Sequence, residues 1–121
     1  MKNLFIGLFL LVIVTPVYSK IKTKHVAGTW TYTVQTPQGD LTGRLEFTKQ
    51  KKGKLSGKVI TDEGDTFAML KVEIREGDVV YFEIQPDYEV MKATMNIQGD
   101  KYEGVVSVSQ GDMPVAGKKQ N

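Results

Sequence analysis

The chain predicts an all-β protein, an eight-stranded antiparallel up-and-down β-barrel, and three observations carry that prediction. From residue 28 onward apolar and polar residues alternate with period two, which is the pattern of half-buried strands. The alternating segments are short and separated by glycine-containing turns, and none of them shows the period of an amphipathic helix. A meander of this kind leaves two open sheet edges unless its first and last strands meet. Closure at eight strands removes the edges and leaves an interior that side chains fill or that holds one small ligand.

The first strand begins at Gly28-Thr29-Trp30, with Trp30, Tyr32 and Val34 on one face and Thr29, Thr31 and Thr33 on the other. Pro37-Gln38-Gly39-Asp40 turns the chain, proline presetting the first corner and glycine supplying the next. Leu41, Leu45 and Phe47 then face inward against Arg44, Glu46 and Thr48. Lys52-Gly53 leads to Leu55, Gly57 and Val59, and Asp62-Glu63-Gly64-Asp65 to the fourth strand, Thr66 to Arg75. There the parity breaks: Phe67 and Met69 share one face, Val72 and Ile74 the other, which predicts a bulge or bend near Leu70. Glu76-Gly77-Asp78 is a hairpin signal, followed by Val80, Phe82 and Ile84 inward. Pro86-Asp87 ends that strand. Met91, Ala93, Met95 and Ile97 form the next inward row, then Tyr102, Gly104, Val106 and Val108, and finally Met113, Val115 and Gly117.

Before this domain lies a different kind of sequence. Lys2, an unbroken apolar run of 11 residues from Leu4 to Val14, and Val17-Tyr18-Ser19 together read as a secretory signal peptide. That run is short of the roughly 20 residues a membrane span needs, so no anchor is expected once the signal is removed. The division is a signal peptide at 1–19, an N-terminal arm at 20–27 and the barrel domain at 28–121, in a periplasmic or secreted protein. With no cysteine in the chain, the fold has to stand without disulfides.

Composition and motifs narrow the function. A formal charge of +2 argues against a nucleic-acid partner. The one basic cluster, Lys49, Lys51, Lys52 and Lys54, flanks Gly53 at a hairpin tip, where lysines are solvated. His25, the single histidine, reads as surface decoration, and without cysteine it cannot build a metal site or a nucleophilic triad. Carboxylates fall at turns or on outward positions, and no phosphate-binding loop occurs, so no catalytic residue, metal or cofactor is assigned. Recurrent Gly-Asp pairs have irregular spacing and too few oxygens for calcium; they are turns.

The inward aromatics and methionines are the candidate site. Tyr32, Phe47, Phe82, Met91, Met95 and Tyr102 are assigned to the wall of a ligand space, with its mouth near Tyr32, Phe82 and Met91. Period-two apolar residues also describe a solid core, and Gly43, Gly57 and Gly104 on the same face leave room for a guest or let the sheet curl tightly. Pattern alone leaves both readings open. An inverted arrangement, apolar face toward lipid, is set aside because several segments are shorter than a spanning strand and no long loops collect on one side.

Gly28-Thr29-Trp30 resembles the G-x-W motif of the lipocalin and wider calycin group. That resemblance implies a tryptophan packed across one end of the barrel beneath a basic residue of the last strand. Lys119, which shares parity with Met113, Val115 and Gly117, is the candidate partner, so Gly28, Trp30 and Lys119 are assigned to barrel closure. The run Gly28 to Phe47, LSGKV after the Lys-Gly turn, and the G-x-V-S-V strand near the end resemble small lipocalin-like β-domains of secreted bacterial proteins. Such domains occur alone or appended to exported hydrolases, notably in Bacteroidetes-like bacteria. The expected function is a non-catalytic module holding a small apolar ligand. A solid-core domain serving a protein partner, such as a secreted enzyme or envelope complex, is the alternative.

Overall fold

A computed structural model describes residues 21–120; the predicted signal peptide lies outside the described residues. After a single helical turn, α1 (Thr23–Val26), the chain forms nine strands: β1 (Gly28–Thr36), β2 (Gly39–Lys49), β3 (Leu55–Thr61), β4 (Thr66–Ala68), β5 (Lys71–Arg75), β6 (Val79–Ile84), β7 (Met91–Gln98), β8 (Lys101–Val108) and β9 (Gly111–Lys118). They make one antiparallel sheet in the order β4-β3-β2-β1-β9-β8-β7-β6-β5, so the first and last strands are hydrogen-bonded neighbours. The architecture is an all-β up-and-down half-barrel whose sheet ends at β4 and β5.

The strand count is nine rather than eight, because the parity break at residues 66–75 divides the fourth strand. β4 pairs with β3 through Lys58↔Ala68 to Ile60↔Thr66, and β5 pairs with β6 through Lys71↔Glu83 to Arg75↔Val79. Between them the backbone changes partner within two residues: Met69 N–H donates to Gly57 O and Leu70 N–H to Glu83 O, at 2.9 and 2.8 Å. Two short pieces thus face opposite neighbours, and one strand becomes two.

Side chains complete the seam between β1 and β9. Backbone pairing there covers Thr33↔Ala116 and Val34↔Val115, with a separate bridge at Trp30↔Lys119. In the gap, Lys118 N–H donates to Thr31 Oγ1 (3.0 Å) and the Tyr102 hydroxyl reaches across β9 to Thr31 O (2.8 Å). Tyr102 crosses there because its cross-strand neighbour is Gly117. A Cβ on Gly117 would stand 2.8 Å from the Tyr102 ring and 1.9 Å from Thr31 O.

The other inward glycines behave alike. Gly43 lies opposite Tyr32, Gly57 opposite Phe47 and Gly104 opposite Met95. A Cβ at any of these positions would meet a backbone oxygen, at 2.3 Å in Gly43, 3.0 Å in Gly57 and 1.8 Å in Gly104. These glycines let the sheet curl under a large neighbour, and they leave no room for a guest.

Apolar rows face the interior. Arg44, Glu46, Lys58 and Glu73 face outward, where they form exposed ion pairs of 3.0–3.6 Å. This is the reverse of the polarity a lipid-facing barrel needs. Tyr81 departs from the simple scheme: it sits on the outer face, yet it is buried beneath Arg75, whose guanidinium carbon lies 3.9 Å from its ring centroid.

Candidate ligand-binding cavity

The barrel is filled at one end and hollow at the other. Trp30, Val26, Val80 and Met95 are the largest fully buried side chains, and three of the four lie toward the end where β1 starts and β9 finishes. Trp30 Nε1–H donates to Val26 O (2.9 Å), which satisfies the one polar atom of the indole. Tyr102 and His25 meet the indole edge-on at centroid distances of 6.0 and 6.1 Å. Lys119 Nζ lies 5.7 Å from the indole centroid and donates to His25 O at 2.6 Å. Gly28 has φ +125°, a conformation that other residues rarely adopt, and the Lys119 stem passes 3.3 Å from where a Cβ would be. Gly28, Trp30 and Lys119 are thus together in one plug.

α1 was invisible in the sequence pattern and completes that plug. Its backbone carbonyls at His25 and Val26 receive Lys119 and Trp30, and Val26 is wholly buried. His25 is not surface decoration: its Nε2 is 2.7 Å from Gly99 O, and its ring packs on the tryptophan. A lone histidine carries no periodic signal, so only tertiary contact assigns it.

Above the plug lies a cavity of about 200 Å³. Tyr32, Phe82, Met91, Met95 and Tyr102 all line it. Phe47 does not; it is buried one layer lower, edge-to-face with Phe82 at 6.1 Å, and belongs to the floor. Leu45, Val59, Ala93 and Met113 also line the space and were not assigned to it from the sequence. Their inward parity was evident, but depth along each strand separates wall from plug, and depth needs the register. Among the described residues the polar side chains in the lining are Thr61 and the two tyrosines, and none of the lining side chains is charged. Among the described residues no cluster of three potential metal ligands occurs. Such a surface can hold an apolar body and offer it a hydroxyl.

Burial governs the tyrosines. Desolvation pushes the Tyr32 phenol above its ordinary value of 10.0, and the charge of Asp62 pushes the same way. Tyr102 is pushed up more strongly by burial and, secondarily, by Tyr32. Tyr81 rises to about 12, first through burial and then through its hydrogen bond to the Glu83 carboxylate. The sign follows: above pH 10 the unfolded chain releases phenolic protons that the folded chain retains. Stability from these three groups is complete below pH 10 and is lost as pH rises through the elevated values. Denaturant unfolding at about pH 9 and about pH 11 should show the drop, with tyrosinate absorbance appearing together with unfolding.

No family model matches the chain, and no curated protein matches it. Solved structures do. A redesigned β-barrel superposes with a TM-score of 0.67 at 16% identity, over 85% of this chain and 100% of its own. A de novo designed fluorescence-activating β-barrel gives 0.57 at 19% identity, over 81% and 96%. Fatty-acid-binding protein 1 of Echinococcus granulosus gives 0.55 at 13% identity, over 81% and 99%. Chains with such different sequences share one solution to closing an antiparallel sheet, and the likeness is one of fold: an antiparallel β-barrel.

Proposed function

We propose that this chain is an exported, non-catalytic binding module that takes a small apolar compound into the open half of its barrel. The observation that carries the reading is the cavity, a space of about 200 Å³ with an apolar lining, above a plug that is otherwise fully packed. An apolar cavity of about 150 Å³ suffices for benzene, so the enclosed part of the guest is on the order of one ring with a short substituent. The Echinococcus protein with the same fold is named for binding fatty acids, which accords with an apolar guest here. Export rests on the leader at residues 1–19.

Native mass spectrometry of the protein taken from its own compartment, followed by calorimetry with small aromatic compounds, tests the reading. Ala93→Phe gives the control, because Ala93 lines the cavity and is nearly buried. Filling the space should abolish binding while leaving stability unchanged or raised by about 0.5–2 kcal/mol. Retained affinity in a folded Ala93→Phe protein would place the guest elsewhere.

A further inference from the structure

The two ends of the barrel carry opposite charge, although the chain as a whole is nearly neutral. Strand order places four connections at the cavity end: residues 37–38, 62–65, 85–90 and 109–110. The connections hold Asp62, Glu63, Asp65, Asp87 and Glu89 and no lysine or arginine, and Asp40 and Asp112 follow at the first turns of β2 and β9; all seven are exposed. Lys71 and Lys92 flank Glu83 in the outer-face row that continues through Ser107 to Asp112, so two lysines stand at the level of the last of these carboxylates. Lysines gather instead at the plugged end, where Lys22, Lys24, Lys51, Lys52, Lys54 and Lys119 outnumber Glu76, Asp78 and Asp100.

Two rim carboxylates are held in place from neighbouring strands. Thr42 Oγ1–H donates to Asp62, and Ser109 N–H donates to Glu89, which ties the 85–90 connection to the turn before β9. The influence of Asp62 extends inward. Tyr32 is 9% exposed and lines the cavity, its hydroxyl bonds no described residue, and the Asp62 charge is felt at that hydroxyl. An apolar chamber, a phenol in its wall and carboxylates at its open end thus occur together.

We infer that the guest is a cationic amphiphile: an apolar body lodged in the cavity and a protonated amine at the rim. The inference rests on the cavity reading and names its ligand class. A carboxylate head, as in a fatty acid, would stand among seven like charges, whereas an ammonium is drawn to them and can accept help from the Tyr32 hydroxyl oxygen. Exposed charges act over a Debye length of about 10 Å at 0.1 M salt, so the preference is salt-dependent.

The test is isothermal titration of the mature protein with phenylpropylamine, phenylpropanol and phenylpropanoate, which share a body and differ in head. At low salt the amine should bind about tenfold or more tighter than the carboxylate, with the alcohol between them. Salt should narrow the gap. The combined variant Asp40→Asn, Asp62→Asn, Asp87→Asn and Asp112→Asn should bring the amine close to the alcohol. Binding of all three with equal affinity, or with the carboxylate tightest, overturns the amine inference and leaves the cavity reading standing. Binding of none by wild-type protein at ligand concentrations up to about 1 mM overturns the cavity reading itself and the inference with it.

Discussion

Trp30→Ala is expected to cost about 3–5 kcal/mol, the range for removing a fully buried large aromatic side chain. The residue is 0% exposed, and its indole is the meeting point of three other pieces of chain. Val26 accepts its N–H, His25 and Tyr102 pack on its edges, and Lys119 lies over it. In a domain of about 100 residues such a loss lowers the melting temperature by roughly 12 °C or more. Two partial variants apportion the effect. Trp30→Phe keeps an apolar ring but leaves Val26 O without its donor, for about 1–3 kcal/mol. Lys119→Met keeps the stem and removes the charge, for about 1 kcal/mol. A thermal shift for Trp30→Ala equivalent to less than about 1 kcal/mol would contradict the plug, since no well-packed core releases an indole so cheaply.

The alternation of residues 28–117 was enough to name the architecture, because period two assigns faces independently of which strands pair. Even the irregularity in strand four was legible: Phe67 and Met69 against Val72 and Ile74 required a discontinuity near Leu70. Its form was not. A bulge keeps one strand and one pair of neighbours, whereas here the chain leaves β3 for β6 at Met69 and Leu70, and that choice depends on partners distant in sequence. The glycines were ambiguous for the same reason. Gly43, Gly57 and Gly104 could mean space or curvature until the register put Tyr32, Phe47 and Met95 opposite them.

The site was legible by face and not by depth. Phe47 and Phe82 have the same inward parity, yet Phe82 borders the cavity and Phe47 lies in the floor, because β2 descends toward the plug as it reaches residue 47. α1 offered no pattern, being a single turn whose role is to present carbonyls and one valine. The charge polarity was in the sequence as acidic turns at residues 62–65 and 85–90 and a lysine cluster at 49–54, although Gly77-Asp78 and Gly99-Asp100 fall at the lysine-rich end. It became visible once topology sorted alternate turns to opposite ends.

Gly117→Ala is expected to cost about 3 kcal/mol, the upper part of the range for overpacking a tight site. Its backbone is not the obstacle, since φ there lies outside the left-handed region. The obstacle is space: the new methyl would sit 1.9 Å from Thr31 O and 2.8 Å from the Tyr102 ring. Neither neighbour can give way alone, because Thr31 O is the acceptor for the Tyr102 hydroxyl and the two together bridge the β1–β9 gap. Gly99→Ala provides the contrast. Its φ of +63° imposes a conformational cost of about 1–2 kcal/mol, but its Cβ meets nothing within 4 Å and no seam is disturbed. The phenol supplies a readout that a merely conformational effect would not move. Burial holds Tyr102 above 10.0, so a seam opened by Gly117→Ala should let that tyrosine ionise closer to its ordinary value, while Gly99→Ala leaves it elevated. Equal tyrosine titration in the two variants, with equal loss of stability, would mean that the barrel closes without the Tyr102–Thr31 crossing.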